Sequence, residues 1–92
     1  MTKLYLVHCG FYDKKIGNNI FEFHTNLFIA ASSFEDAKLK IKTDPMFKKK
    51  KMHIDGIVEI NEVSGYKILL KKSGKKNKNN FNFFDFRSLR AK

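Results

Sequence analysis

Tryptophan is absent from this chain, and cysteine occurs only once. With Cys9 as the single thiol, no internal disulfide can form, which excludes a disulfide scaffold and favours a reducing compartment. Long apolar runs are missing too, and no stretch approaches the roughly 18 apolar residues that a membrane-spanning helix needs. The first residues also lack the charged start and long apolar stretch of a secretory signal. We therefore expect a cytoplasmic protein.

Glycine is sparse and scattered, with five residues in the whole chain. None of them forms a loop of the P-loop or dinucleotide-binding type, so no nucleotide cofactor is expected. The spacing of the histidines matches no recognised metal motif such as HExxH. His8 and Cys9 are adjacent in a predicted strand and point to opposite faces, which argues against a Cys–His nucleophile. The motifs alone assign no catalytic residue, metal, cofactor or small-molecule partner.

Acidic residues are nearly absent from the C-terminal end. Residues 71–92 contain one acid, Asp85, and eight lysines and arginines, so about +7 of the formal net charge of +10 lies there. We predict a single domain over residues 1–72, followed by a basic tail rich in asparagine and phenylalanine over residues 73–92. A domain of this size buries only a modest core, which dimerisation would extend.

Alternation of apolar and polar side chains predicts the strands. Residues 3–11 are apolar on both parities, as in a strand that is covered on both sides. Residues 20–30 follow a charged turn, and they place apolar and mostly polar side chains on opposite faces. From Met52 onward the chain is strand-like again. A turn at residues 63–65 then predicts a second hairpin.

A helix is predicted between the two pairs of strands. Ser32 and Ser33 are both possible N-caps, and Ser32 with Glu35 matches a capping box. An apolar stripe with lysines opposite it follows. Pro45 should end this helix near Thr43, and the lysines at 48–51 would form a basic connector. The element order β-β-α-β-β predicts an α+β fold, with an antiparallel sheet and one main helix packed on one face.

Several short segments carry a resemblance to a known family. They are LYLVHCG in the first strand, the pair Glu22-x-His24, the helix SFEDAKLKIK, His53-Ile54-Asp55-Gly56, and Val63-Ser64-Gly65-Tyr66-Lys67-Ile68. Over about residues 3–71 the chain resembles a small bacterial family known as domain of unknown function 1543. The resemblance implies a bacterial protein from a family without an assigned activity, and it brings no catalytic residues. Members of that family carry one or two copies of the domain, so a single copy is compatible with two chains pairing.

Polar side chains alternate on two of the predicted strands. They are Glu22, His24 and Asn26 on the second strand, and His53, Asp55 and Glu59 on the third. If the strands are neighbours, this polar face could bind zinc, or place a histidine base beside a carboxylate. It is also compatible with a solvated sheet surface, or with a dimer interface that includes Phe28 and Ile57. In the third strand Ile54, Val58 and Ile60 are predicted to share the opposite face.

The basic tail has three interpretations, which rest on its lysines, arginines and phenylalanines. The contact residues proposed for it are Lys75, Lys76, Lys78, Phe81, Phe83, Phe84, Phe86, Arg87 and Arg90. They could bind the phosphates and bases of a nucleic acid, lie on an anionic membrane, or dock on the domain or on a partner chain. Docking is favoured because four phenylalanines left in water would form an unusual apolar patch. The membrane is the least favoured partner.

The sequence therefore predicts a non-enzymatic binding or interaction module that acts as a homodimer. The alternative is a nucleic-acid-associated protein that uses the basic tail. A metal- or histidine-dependent enzyme that uses the polar face is the third hypothesis.

Overall fold

The structure, a computed structural model, describes residues 1–75, Asn79 and Phe81. It therefore includes two of the contact residues proposed for the tail, Lys75 and Phe81. The remaining ones lie outside the described residues: Lys76, Lys78, Phe83, Phe84, Phe86, Arg87 and Arg90.

Three antiparallel strands form the main sheet. β1 (Lys3–Tyr12) lies in the centre, with β2 (Glu22–Ala31) on one side and β3 (His53–Ile60) on the other. A loop with a 3₁₀ turn at Gly17–Asn19 joins β1 to β2. The first two predicted strands are confirmed. The prediction that β1 is covered on both sides is wrong, because His8 and Tyr12 on one of its faces are exposed.

The core lies on the side of the sheet that faces the helices. Tyr5, Val7 and Cys9 alternate along β1, and each is at most 1% exposed. α1 (Phe34–Ile41) buries Ala37 and Ile41 against these residues. One main helix thus packs on one face of the sheet, as the sequence predicts. The opposite side of the sheet is called the outer face below.

Of the two serines predicted as caps of α1, the structure uses the second. The N-cap is Ser33, whose Oγ accepts a hydrogen bond from the Asp36 backbone N–H at 3.0 Å. The Asp36 carboxylate in turn accepts from the backbone N–H and the hydroxyl of Ser32, at 2.9 and 3.1 Å. The predicted pairing of Ser32 with Glu35 is therefore wrong. In a capping box the acid accepts a hydrogen bond from the backbone N–H of the N-cap. Asp36 accepts instead from the backbone N–H of Ser32, the residue before the N-cap.

Pro45 begins a second helix, α2 (Pro45–Lys49). α1 has already ended at Ile41, as the position of the proline predicts. The Asp44 carboxylate then caps α2 by accepting from the backbone N–H groups of Met46 and Phe47. Proline suits the first turn of a helix, where a backbone N–H would have no helical partner. The predicted basic connector is thus partly helical.

β3 contains one residue more than the segment of β1 that it pairs with. His8 of β1 pairs with Gly56, whereas the next residue, Cys9, pairs with Ile54. Asp55 is therefore the additional residue of a β-bulge.

The bulge changes which side chains of β3 face the core. Ile57 packs on the core together with Ile54, while Val58 is 55% exposed. The predicted common face of Ile54, Val58 and Ile60 is wrong, because the additional residue reverses the alternation beyond it. Ile57 is likewise not part of the outer face.

A separate two-stranded hairpin follows the main sheet. β4 (Glu62–Val63) pairs with β5 (Tyr66–Lys67), and the turn between them places Ser64 and Gly65 at φ values of 54° and 81°. Two positive φ values are typical of a type I′ turn. The α+β class and the β-β-α-β-β order are confirmed, although the last strand is short and does not join the main sheet. None of the helices within the described ranges combines the length and the apolar character that crossing a membrane requires.

Candidate metal centre

All three histidines of the chain lie together on the outer face. Two carboxylates accompany them, one from β2 and one from the bulge of β3. This group is called the histidine cluster below, and it consists of His8, Glu22, His24, His53 and Asp55.

The strand register explains why residues so far apart in sequence meet. Gly10 of β1 pairs with His24 on β2 and with His53 on β3. Residues that pair across antiparallel strands point to the same face. The two histidines therefore flank Gly10, and His8, two residues earlier on β1, lies on the same face.

Gly10 provides the space in which the cluster forms. A Cβ atom at this position would lie 2.5 Å from Nε2 of His53 and 2.8 Å from Oδ2 of Asp55. These distances are shorter than any ordinary contact of a side-chain carbon. The two side chains thus lie over the backbone of the central strand, where only glycine leaves room for them.

Both carboxylates contact more than one imidazole. Glu22 Oε1 lies 2.6 Å from Nε2 of His24 and 3.8 Å from Nε2 of His53. Asp55 lies 3.3 Å from His24 through Oδ2 and 3.2 Å from His53 through Oδ1. The His8 and His24 rings stack with their centroids 5.0 Å apart and their planes 7° apart. The five side chains form one connected group.

Two further side chains orient the cluster from its edge. His8 Nδ1 lies 2.7 Å from the amide oxygen of Asn26, and a donor role for Nδ1 leaves Nε2 with its lone pair. The Tyr12 hydroxyl donates to Glu22 Oε2 at 3.0 Å. This hydrogen bond, together with His24 and His53 nearby, holds the pKa of Glu22 below its ordinary value, so the carboxylate stays charged. The same bond raises the pKa of Tyr12.

The cluster contains two overlapping sets of three possible metal ligands. One set is His8, His24 and Asp55; the other is Glu22, His53 and Asp55; in each set the ligand atoms lie within 4.8 Å of one another. Tetrahedral zinc, with bonds of about 2.0–2.2 Å, places its ligand atoms about 3.4 Å apart. The separations of Asp55 from His24 and His53 are close to this value. Asp55 belongs to both sets because the bulge directs it toward the centre of the cluster.

Five of the six polar-face residues predicted from the sequence meet in this region. The exception is Glu59, which pairs with the buried Tyr5 and therefore points to the helix side of the sheet. Its carboxylate lies 3.6 Å from Lys3 Nζ. The bulge reverses the alternation of β3 before this residue, and this reversal separates Glu59 from His53 and Asp55.

The sequence analysis missed His8 and Tyr12. Both continue the parity of Leu4 and Leu6 along β1, so alternation alone places them on one face with Gly10. Cys9 has the opposite parity and is fully buried. Its burial, with Asp55 and Asp44 adding to the effect, raises the pKa of the thiol above its ordinary value. A buried, protonated thiol is a poor metal ligand and a poor nucleophile.

The other end of the outer face is apolar. Phe28 and Val58 are 43% and 55% exposed there, and Leu4, Leu6 and Ile60 are half-buried between them. The ring of Phe81 lies beside this patch, with its centroid 6.4 Å from that of Phe28. Lys75 makes a local turn contact, in which its backbone N–H donates to Ser73 Oγ. We call the group formed by Leu4, Leu6, Phe28, Val58 and Ile60 the apolar patch.

Comparison with known proteins identifies a family. No curated protein and no solved structure matches the chain. The family model for Domain of Unknown Function (DUF1543) matches residues 19–70. The matched segment contains four of the five cluster residues, and His8 lies before it. Because the match covers more than half of the sequence, the chain belongs to this family, as the resemblance of its short segments predicts.

Proposed function

We propose that this protein is a binding module for a divalent transition-metal ion, with zinc as the preferred ion. The observation that carries the proposal is the convergence of all three histidines and two carboxylates over Gly10. Imidazole nitrogen and carboxylate oxygen are ligands that zinc accepts in its usual four-coordinate sites. Two outer hydrogen bonds support the proposal: Asn26 accepts from His8 through its amide oxygen, and Tyr12 donates to Glu22. Ligating side chains are commonly held by such outer partners.

The cluster supports binding more directly than catalysis. Its side chains lie on an open sheet face, and those of His24 and His53 are 43% and 46% exposed. An open face lets an ion enter from water, whereas selecting and orienting a substrate requires an enclosing surface. A tetrahedral ion held by three of the five side chains would keep one position for a further ligand, such as a group from a partner.

We propose further that the module acts as a homodimer through the apolar patch. Exposed apolar surface on a small domain commonly marks an interface. A homodimer through this patch would be isologous, so that the patch of each chain meets its own equivalent across a twofold axis. The patch occupies the same face as the histidine cluster, so pairing would bring two metal sites near one interface.

The decisive test is zinc titration of the untagged, metal-free chain by calorimetry. We expect saturable binding of about one ion per chain. Asp55→Asn should weaken binding at least tenfold, because Asp55 belongs to both ligand sets. Parallel measurements of His8→Ala and His53→Ala should identify the set that binds, since each replaces a ligand of only one set. Affinity should fall as the pH is lowered from about 7 to 5, because protons compete for the imidazole nitrogens.

Glu59→Gln provides the matched control. It removes one carboxylate from the same strand as Asp55, but on the opposite side of the sheet. It should leave zinc affinity unchanged. If Glu59→Gln and Asp55→Asn weaken binding equally, or if the chain shows no saturable binding, the metal proposal is wrong.

A further inference from the structure

A second feature lies at the end of the sheet where β1 leads into the loop. An open depression of about 700 Å³ is formed there by two segments that are distant in sequence. We call it the lysine depression, and its lining residues are Tyr12, Asp13, Lys14, Lys15, Asn19, Lys49, Lys50 and Lys51. Among the residues that the structure describes, five lysines thus face one acid. Such a concentration of positive charge attracts anionic groups.

Asp13, the acid among the described residues of the depression, already binds two groups of the protein itself. Asp13 Oδ2 lies 3.2 Å from Lys50 Nζ, and Oδ1 accepts the backbone N–H of Lys15 at 2.9 Å. The N–H of Lys15 and the ammonium of Lys50 lower the pKa of Asp13, so it stays charged and holds the two segments together. Four lysines remain exposed around this pair: Lys14, Lys15, Lys49 and Lys51.

Lys51 occupies a backbone position that usually favours glycine. It follows α2 with φ at 50°. The N–H of Lys51 donates to the carbonyl of Lys48 at 3.2 Å, and the N–H of Met52 donates to that of Phe47 at 3.0 Å. These two bonds form a Schellman motif, in which glycine is the commonest residue at the left-handed position. Lysine at this position carries strain, and strain of this kind is often found at functional sites.

Exposed aromatic rings lie at the same end of the sheet. Tyr12 lines the depression and is 48% exposed, and Phe21, in the loop that follows Asn19, is 62% exposed. Nucleic-acid bases stack on such rings, while lysines contact the phosphates. Rings beside lysines favour single strands, because the bases of a duplex are already stacked on one another.

From these observations we propose that the lysine depression binds single-stranded nucleic acid, with phosphates at the exposed lysines and a base on Tyr12 or Phe21. The proposal requires no bound metal, although the hydroxyl of Tyr12 also donates to Glu22 of the histidine cluster. It moves the nucleic-acid contact suggested by the sequence from the tail to the folded domain. The formal net charge of +10 assists the approach of any nucleic acid, so the test must separate this local site from the charge of the whole chain.

The test compares two double variants of the full chain with the same net charge. Lys49→Gln/Lys51→Gln changes the depression, and Lys38→Gln/Lys42→Gln removes two exposed lysines from α1 and its end. Binding to a labelled single-stranded oligonucleotide is measured over a salt series. We expect the depression variant to bind at least tenfold more weakly and its log–log salt slope to be about 1.4 smaller, for two lost phosphate contacts. The α1 variant should lose no more than about threefold in affinity.

Lys51→Gly separates binding from folding. Glycine relieves the left-handed backbone, so the melting temperature should rise by about 4 °C, while the affinity for the oligonucleotide should fall. A protein that is more stable but binds more weakly has lost a contact and not its fold. An affinity unchanged in Lys51→Gly would contradict the assigned role of this lysine.

Three outcomes would overturn the proposal. Equal losses in the two double variants would mean that net charge alone drives binding. Equal affinity for duplex and single strands would remove the role of the rings. Binding to vesicles of anionic phospholipid that depends on Lys49 and Lys51, without binding to the oligonucleotide, would assign the depression to a membrane surface.

Discussion

Glycine in the middle of a strand usually weakens a sheet, because it adds backbone freedom and no side chain to pack. At Gly10 the missing side chain allows His53 and Asp55 to lie across the central strand. The histidine cluster therefore depends on a residue that has no side chain and supplies no ligand to it. Gly56, the partner of His8 on β3, differs, because a Cβ there would meet no atom within 4 Å.

Gly10→Ala should abolish the cluster while the fold is retained. The new methyl group would collide with the ends of two exposed side chains, which can turn aside, and not with buried backbone. We expect zinc affinity to fall at least tenfold, with an unchanged circular dichroism spectrum. Gly56→Ala is the control and should bind zinc like the original chain. Undiminished binding by Gly10→Ala would show that the ion does not bind over Gly10.

At the same scale, alternation along β2 and the start of β3 predicts which side chains share a polar face within each strand. Glu22, His24, Asn26, His53 and Asp55 were all assigned to one polar face, and they do meet. The prediction omits His8 and Tyr12, because it treats β1 as covered on both sides, whereas these two residues lie on the open outer face. The proximity of these residues to β2 and β3 depends on strand order, which alternation along one strand does not reveal.

At the scale of the elements, local sequence signals predict that a helix is present better than they predict where it begins and ends. The sequence predicts α1 from its apolar stripe and its caps, and the helix is present. The capping serine is Ser33, whose hydroxyl oxygen accepts from the backbone of Asp36, and the carboxylate of Asp36 accepts from Ser32. Pro45 was interpreted only as a stop, but Asp44 before it also supplies a cap for α2.

Asp36→Asn should make the free energy of unfolding depend less strongly on pH in the acidic range. The backbone N–H of Ser32, and then Lys40 and the Ser32 hydroxyl, lower the pKa of Asp36 in the folded state. The unfolded chain therefore takes up this proton first as the pH falls. The contribution of this carboxylate to the free energy of unfolding is fully present above the pKa of about 3.9 that the group has in the unfolded chain. It is lost as the pH falls through the lower pKa of the folded state.

Urea unfolding at several pH values measures this effect. The original chain should be more stable than Asp36→Asn near neutral pH, and the difference should shrink as the pH falls below the unfolded pKa of about 3.9. Glu35→Gln removes the same charge one residue earlier and tests the influence of charge alone. A difference between Asp36→Asn and the original chain that stays constant with pH would contradict the assigned role of the carboxylate.

Element order and fold class were predictable for the whole molecule because each strand and helix has a local signature. The arrangement β2-β1-β3 was not, because pairing between distant segments leaves no trace in the periodicity of either. The bulge at Asp55 was also hidden, since one additional residue does not interrupt an alternating pattern until its partner strand is known. That single residue decides that Val58 and not Ile57 belongs to the outer face.

The proposed homodimer is testable through Val58. Val58→Lys places a charge within the apolar patch, where it would have to be buried between two copies, so we expect a shift from dimer to monomer in light scattering. Leu39→Lys is the control, because Leu39 is 66% exposed on α1, away from the patch. It should leave the molecular mass unchanged. A monomer that persists over a wide range of protein concentration would exclude the dimer.

The two faces of β1 link the core of the protein to its proposed binding site. Tyr5, Val7 and Cys9 fill the core, while His8 and Gly10 form the outer face, so one ten-residue strand specifies both. Loss of one residue within β1 would turn the imidazole into the core and apolar side chains into water. Individual ligands on this strand can therefore be exchanged without a change of register, whereas an inserted residue would need a bulge to absorb it, as Asp55 does in β3. Relatives that differ in length should differ in the loops, with β1 preserved at constant length.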